Sequence, residues 1–161
     1  MSTSTFNPAP TNAMCEWAGR LASEVSRSVF ASRSVRADRA RIFQAITVPE
    51  YMETWFSAPG LIPGYVRVFG DDSSFSICGA TENGSTFKVS CTYRVCRRSK
   101  LVFNWRQDPF LKAIPSVVRI RLQGDFERTT VDVLHTGISE YERKWCGVLW
   151  EASLEKLSRL F

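Results

Sequence analysis

One histidine, His135, is present in the chain, so any imidazole chemistry runs through that residue alone. It shares parity with Val131 and Val133, which places its ring on the inward face of a strand. An inward histidine can polarise a ligand or serve as a general base. It can equally be a hydrogen-bonded structural residue that finishes its strand, and that reading is the favoured one. No G-x-S-x-G or G-x-x-x-x-G-K-[ST] motif occurs, so neither a nucleophile elbow nor a phosphate-cradling loop is expected. The adjacent carboxylates Asp71 and Asp72 read as turn residues. Arg33 shares parity with Val29 and Val35. An inward arginine there would need a carboxylate, and a strand end open to water is the preferred reading.

The five cysteines, Cys15, Cys78, Cys91, Cys96 and Cys146, are odd in number and lack C-x-x-C spacing. A structural zinc site wants four closely spaced ligands. No metal or cofactor is therefore expected, and buried free thiols in a reducing, cytoplasmic setting fit best. Lys and Arg number 21 against 16 Asp and Glu, a net charge of +5. The one dense basic run, Arg94, Arg97, Arg98 and Lys100, sits between two strand-like segments and reads as a solvated hairpin tip, so no nucleic-acid partner is expected. Arg119 and Arg121 have the parity opposite to Val118 and Ile120 and should face solvent. No stretch approaches 18 apolar residues, and the start lacks a basic region followed by an apolar run, so neither a membrane span nor a secretory signal is expected.

The elements that must position these residues follow from periodicity. At 161 residues the chain is long enough for one domain with a core of its own. Residues 1–23 read as a disordered or partly helical extension and residues 24–161 as the domain. Alternation from Val25 to Val35 predicts a first strand. Asp38 is the predicted N-cap of a helix over Arg39 to Thr47, and Pro49 opens a second helix running to about Phe56. Alternating segments then recur around Val66, Phe75 to Cys78, Phe87 to Val95, Leu101 to Trp105, Val118 to Leu122, and Val131 to His135. They predict an antiparallel meander with one buried face. In the first long segment Phe87, Val89, Cys91, Tyr93 and Val95 are all expected to face inward. The tail from about Tyr141 to Phe161 places Trp145, Cys146, Leu149, Trp150, Leu154 and Leu157 on one half of a helical wheel. An arc this wide suits a helix laid across a concave sheet.

This order resembles the helix-grip (START-like, SRPBCC) superfamily and, within it, the activator of heat shock protein 90 ATPase homologue family. Four pieces carry the likeness: V-R-A-D-R-A-R-I-F-Q-A-I-T-V-P-E from Val35 to Glu50 with Trp55 following; Leu101-Val-Phe-Asn-Trp105; the pair Ser116 to Leu122 and Thr129 to Gly137, ending in H-x-G; and Trp150-x-x-x-Leu154-x-x-Leu157. Asp38 stands where the family usually has Pro, and Leu149 where it prefers Gly. The resemblance implies an α+β fold in which a curved antiparallel β-sheet of about six or seven strands wraps around a long C-terminal helix, with two short helices after the first strand. It also implies a cavity between sheet and helix.

The expected function is to bind a small hydrophobic molecule, aromatic or polyketide-like, in that cavity. Its walls would come from Trp55, Phe75, Phe87, Val89, Phe103, Trp105, Val118, Ile120, Val133, Cys146, Trp150 and Leu157, with His135 as a polar contact. One alternative is a cyclase-like enzyme using His135 as acid/base. The other is a stress-related protein with a chaperone partner. An enzyme is the less expected of the outcomes.

Overall fold

The computed structural model describes residues 27–108 and 114–161. The expected N-terminal extension, Cys15 and the predicted first residues of the opening strand lie outside the described residues. The described chain forms β1 (Ser28–Val35), α1 (Arg39–Thr47), α2 (Pro49–Trp55), β2 (Arg67–Gly70), β3 (Ser74–Ala80), β4 (Thr86–Arg97), β5 (Lys100–Asp108), β6 (Ser116–Gly124), β7 (Thr129–Thr136) and α3 (Glu140–Arg159). The strands form one sheet in the order β1-β7-β6-β5-β4-β3-β2, and every neighbouring pair is antiparallel. The sheet curves, and α3 lies in its concave face. This is the helix-grip arrangement expected from the sequence, with seven strands. No helix among the described residues is long and apolar enough to cross a membrane.

Local chemistry explains the boundaries. The Asp38 carboxylate accepts the Arg41 backbone N–H at 2.8 Å, so the residue standing in place of proline still starts α1 by capping it. Pro49 occupies the first turn of α2, where its missing N–H leaves no bond unmade. Gly137 adopts a φ of 76°, the left-handed turn that sends the chain from β7 into α3. The helix then opens on a capping box. The Ser139 hydroxyl accepts from the Glu142 N–H and the Glu142 carboxylate from the Ser139 N–H, both at 3.2 Å.

Inward residues of all seven strands form a single core that is closed by α1, α2 and α3. Fully burying a large apolar side chain stabilises by roughly 1.5–3 kcal/mol, so Trp150, Leu149 and Leu157 hold α3 in place chiefly by packing. Polar ties supplement this. The Trp55 indole donates to the Ala45 carbonyl at 2.8 Å and joins α2 to α1. Thr129 Oγ1 donates to the Ala37 carbonyl at 2.8 Å and joins β7 to the β1–α1 link.

One strand departs from the predicted alternation. The β4–β5 register shifts between Tyr93 and Val95, so Tyr93 pairs with Phe103 whereas Val95 pairs with Val102. Val102 has the parity opposite to Leu101 and Phe103. Val95 therefore sits on the convex face, not the inward one, because the bulge inserts one residue and reverses facing beyond it. Arg119 and Arg121 face solvent as expected. Arg33 is half-buried on the α3 side of β1, and its Nε has no hydrogen-bond partner among the described residues.

Candidate functional site

All thirteen residues expected to surround a ligand are buried. Alternation on β3 to β7, the apolar arc of α3 and the end of α2, which carries Trp55, bring them to the same interior. What they surround is nearly full. Ile46, Met52, Trp55, Phe56, Phe75, Ile77, Phe103, Trp105, Ile120 and Trp150 enclose only about 10 Å³ of free space, near the minimum for one water. Aromatic rings fill the space between sheet and helix. Phe56 lies 6.1 Å from Phe87 and 6.3 Å from Trp105, and Trp105 lies 5.7 Å from Trp150, measured between centroids.

His135, 1% exposed, lies beneath this aromatic layer. The Trp150 indole N–H donates to its Nδ1 at 3.1 Å, and its Nε2 lies 2.8 Å from Ser116 Oγ. Ser116 Oγ in turn donates to the Trp105 carbonyl at 3.3 Å. One tautomer satisfies the whole series: Nδ1 accepts, Nε2–H donates to Ser116, and the serine hydroxyl is left to donate onward. A proton added at Nδ1 would set two N–H donors face to face. A small cavity of about 20 Å³ touches His135, Ser116 and Cys146 on one side and Arg106, Gln107 and Glu142 on the other. It can hold a water but not a substrate.

A larger space lies outside. A groove of about 590 Å³ runs between the first turns of α3 and the ends of β4 and β5. Phe87, Trp145, Tyr141, Val148 and Pro59 supply its apolar wall, and Thr81, Thr86, Gln107, Asp108, Glu142 and Lys144 its polar edge. Phe87 and Trp145 stack at 5.7 Å between centroids. Tyr141 and Val148 leave 85% and 49% of their surface exposed. Both volume and wall chemistry fall in the range of small-molecule sites. Gln107 and Glu142 are shared with the small cavity beside His135.

Of the thirteen expected residues, Phe87 lines this groove. Trp105, His135 and Cys146 line the small cavity, and Trp55, Phe75, Phe103, Trp105, Ile120 and Trp150 the interior void. Val89, Val118, Val133 and Leu157 are core residues. Sequence reasoning did not single out Tyr141, Trp145 and Val148 as a site. Their i, i+4, i+7 spacing was the available signal: a second apolar stripe along α3, offset from the stripe that faces the core.

Among the described residues no cluster of His, Cys, Asp and Glu could hold a metal ion. Burial alone pushes the Cys91 thiol well above its usual range. Cys96 is raised by partial burial and by the nearby Asp72 carboxylate. Neither thiol is an activated nucleophile.

Comparison with known proteins agrees with this architecture. A family model described as activator of Hsp90 ATPase homolog 1-like protein matches residues 36–161. No curated protein matches the chain. Among solved structures, a Chromobacterium violaceum protein superposes with a TM-score of 0.72 at 17% identity, covering 83% of this chain and 96% of its own. CalU16 from Micromonospora echinospora gives 0.59 at 21% identity, over 82% and 74% of the two chains. DynU16, a protein of the dynemicin biosynthetic locus, gives 0.60 at 20% identity, over 83% of this chain and 46% of its own. At these identities the likeness is one of fold.

Proposed function

Since the chain belongs to the activator of Hsp90 ATPase homolog 1-like family, we propose that it is a binding protein for a small, largely apolar molecule, and that the molecule lies in the groove at the mouth of the grip. The observation that carries this reading is the contrast in free volume, about 590 Å³ in the groove against about 10 Å³ in the interior. Phe87, Trp145 and Tyr141 offer flat faces, so planar aromatic molecules, polyketide-like ones included, are the first candidates. Gln107, Glu142 and Lys144 would orient a polar end. Trp55, Phe103, Trp105 and Trp150 would support the groove from beneath rather than touch the ligand.

Acid–base turnover at His135 is the weaker reading. The ring is sealed under Trp150 and Trp105, and its Nδ1 is occupied by an indole N–H. A chaperone partner would use the outer surface and rests on the family's name alone.

Native mass spectrometry of freshly purified protein, followed by denaturation, tests the proposal. A released apolar molecule supports it. Supplying planar aromatic candidates to the protein and seeing none retained, with none co-purified, would count against it.

A further inference from the structure

The convex face of the sheet carries a second feature, independent of the groove. Arg97 on β4 pairs directly with Lys100 on β5, and Lys100 pairs directly with Arg121 on β6. Three cations thus stand side by side on neighbouring strands, about 4.8 Å apart along the row. Arg119 follows one alternation step along β6, with Arg94 and Arg98 beside the hairpin end, and all six are exposed. One carboxylate, Asp132, continues the row on β7. It accepts from Arg121 at 3.0 Å and from the Ser32 hydroxyl at 2.6 Å, so its charge is set against Arg121 at one end of the row. Among the described residues no carboxylate pairs with Arg94, Arg97, Arg98 or Lys100.

Like charges directly opposite one another destabilise a sheet. A row of three is thus a local cost to the fold, which an anion bound across it would offset. We propose that this end of the convex face docks an acidic polypeptide segment in extended conformation. An extended chain presents alternate side chains on one face about 6.8 Å apart, the spacing of Arg119 and Arg121 along β6. The neighbouring convex residues, Thr92, Val95, Val102 and Asn104, include no aromatic ring. The exposed Phe30 lies two strands from Arg119, beyond Leu134, and a single ring is fewer than the successive platforms that hold single-stranded nucleic acid. The sequence reading of a merely solvated hairpin tip considered Arg94 to Lys100 alone. The fold adds Arg119 and Arg121, which lie distant in sequence.

Fluorescence anisotropy at low salt, with a labelled alternating Glu–Ser peptide and an oligothymidylate of equal charge, tests this. The peptide should bind, weaken as salt rises, and outcompete the oligonucleotide. Lys100→Glu should weaken peptide binding about tenfold, whereas Arg39→Glu, an equal charge change on α1, should leave it nearly unchanged. Because Lys100→Glu turns two repulsive pairs into attractive ones, its thermal midpoint should rise by about 2 °C or more. Absence of peptide binding, equal effects of the two variants, or tighter oligonucleotide binding would overturn the proposal. A Lys100→Glu protein that melts at or below the wild-type temperature would remove its premise of a strained cationic row.

Discussion

The Trp150 indole N–H ends on Nδ1 of His135 at 3.1 Å, a buried bond that ties α3 to β7. Trp150 is 2% exposed and His135 1%, so both partners are shielded from bulk solvent. Trp150→Phe keeps most of the packing and removes the donor. It should destabilise by about 1–3 kcal/mol, the usual penalty for a buried acceptor left unsatisfied. His135→Ala adds a cavity to the same loss. In a double-mutant cycle read by urea unfolding, the two should couple by about 0.5–3 kcal/mol. Strict additivity would show that the bond contributes nothing.

Ser153 makes a second tie between helix and sheet-side loop. Its Oγ accepts the Ser57 N–H at 3.0 Å and donates to the Ser57 carbonyl at 2.9 Å. Ser153→Ala leaves both backbone groups without this partner while changing volume little. We expect a loss of about 1–3 kcal/mol, with no change in groove binding. A variant as stable as wild type would mean that water satisfies Ser57 instead.

Two exposed turns set an acid-sensitive limb. The Asp71 carboxyl is held below its ordinary 3.8 by the Ser73 N–H, the Ser73 hydroxyl and the Ser74 N–H. Asp125 is held low by the Glu127 and Arg128 N–H groups. Each folded value lies below the unfolded one, so the stabilisation is complete above the unfolded value near 3.8 and is lost as pH falls through the lower folded value. Asp71→Asn and Asp125→Asn should therefore flatten the stability–pH curve below pH 3.8 and leave its slope near neutrality unchanged. Thermal melts across that range would show an unaltered acid limb if the turns are irrelevant.

Thiol labelling should follow burial. Cys96 is exposed and Cys78 half-buried, whereas Cys91 and Cys146 are buried. With alkylation at neutral pH and peptide mapping, Cys96 should react first among the four described cysteines, and Cys91 and Cys146 only on unfolding. Early modification of Cys91 would show that the interior opens on the labelling timescale.

Much of this was legible in the sequence because it rests on local rules. Asp38 and Pro49 mark helix starts by capping and by a fixed φ, and α1 runs from Arg39 to Thr47 as predicted. Period-two alternation marked which face of β6 and β7 is buried. It failed at Val95, because a one-residue bulge is a property of strand pairing and leaves no mark in spacing. Parity also placed Trp105 and His135 indoors. Whether inward rings enclose space or fill it is a matter of how they meet in three dimensions. Here Phe56, between Phe87 and Trp105, closes the gap. The Tyr141, Trp145 and Val148 stripe was readable, but its meaning depends on the ends of β4 and β5 lying opposite it.

The proposed function requires that an apolar molecule sit in the groove and not in the interior. Nile red, a neutral apolar dye, tests it directly when titrated against the wild type and Val148→Glu. Val148 lies at the groove wall, half exposed on a helix that tolerates glutamate, so the fold should be unaffected. The wild type should bind the dye saturably and the variant at least about tenfold more weakly, a difference of about 1.4 kcal/mol, at an unchanged thermal midpoint. Equal binding by the two proteins, or none by the wild type, would contradict it.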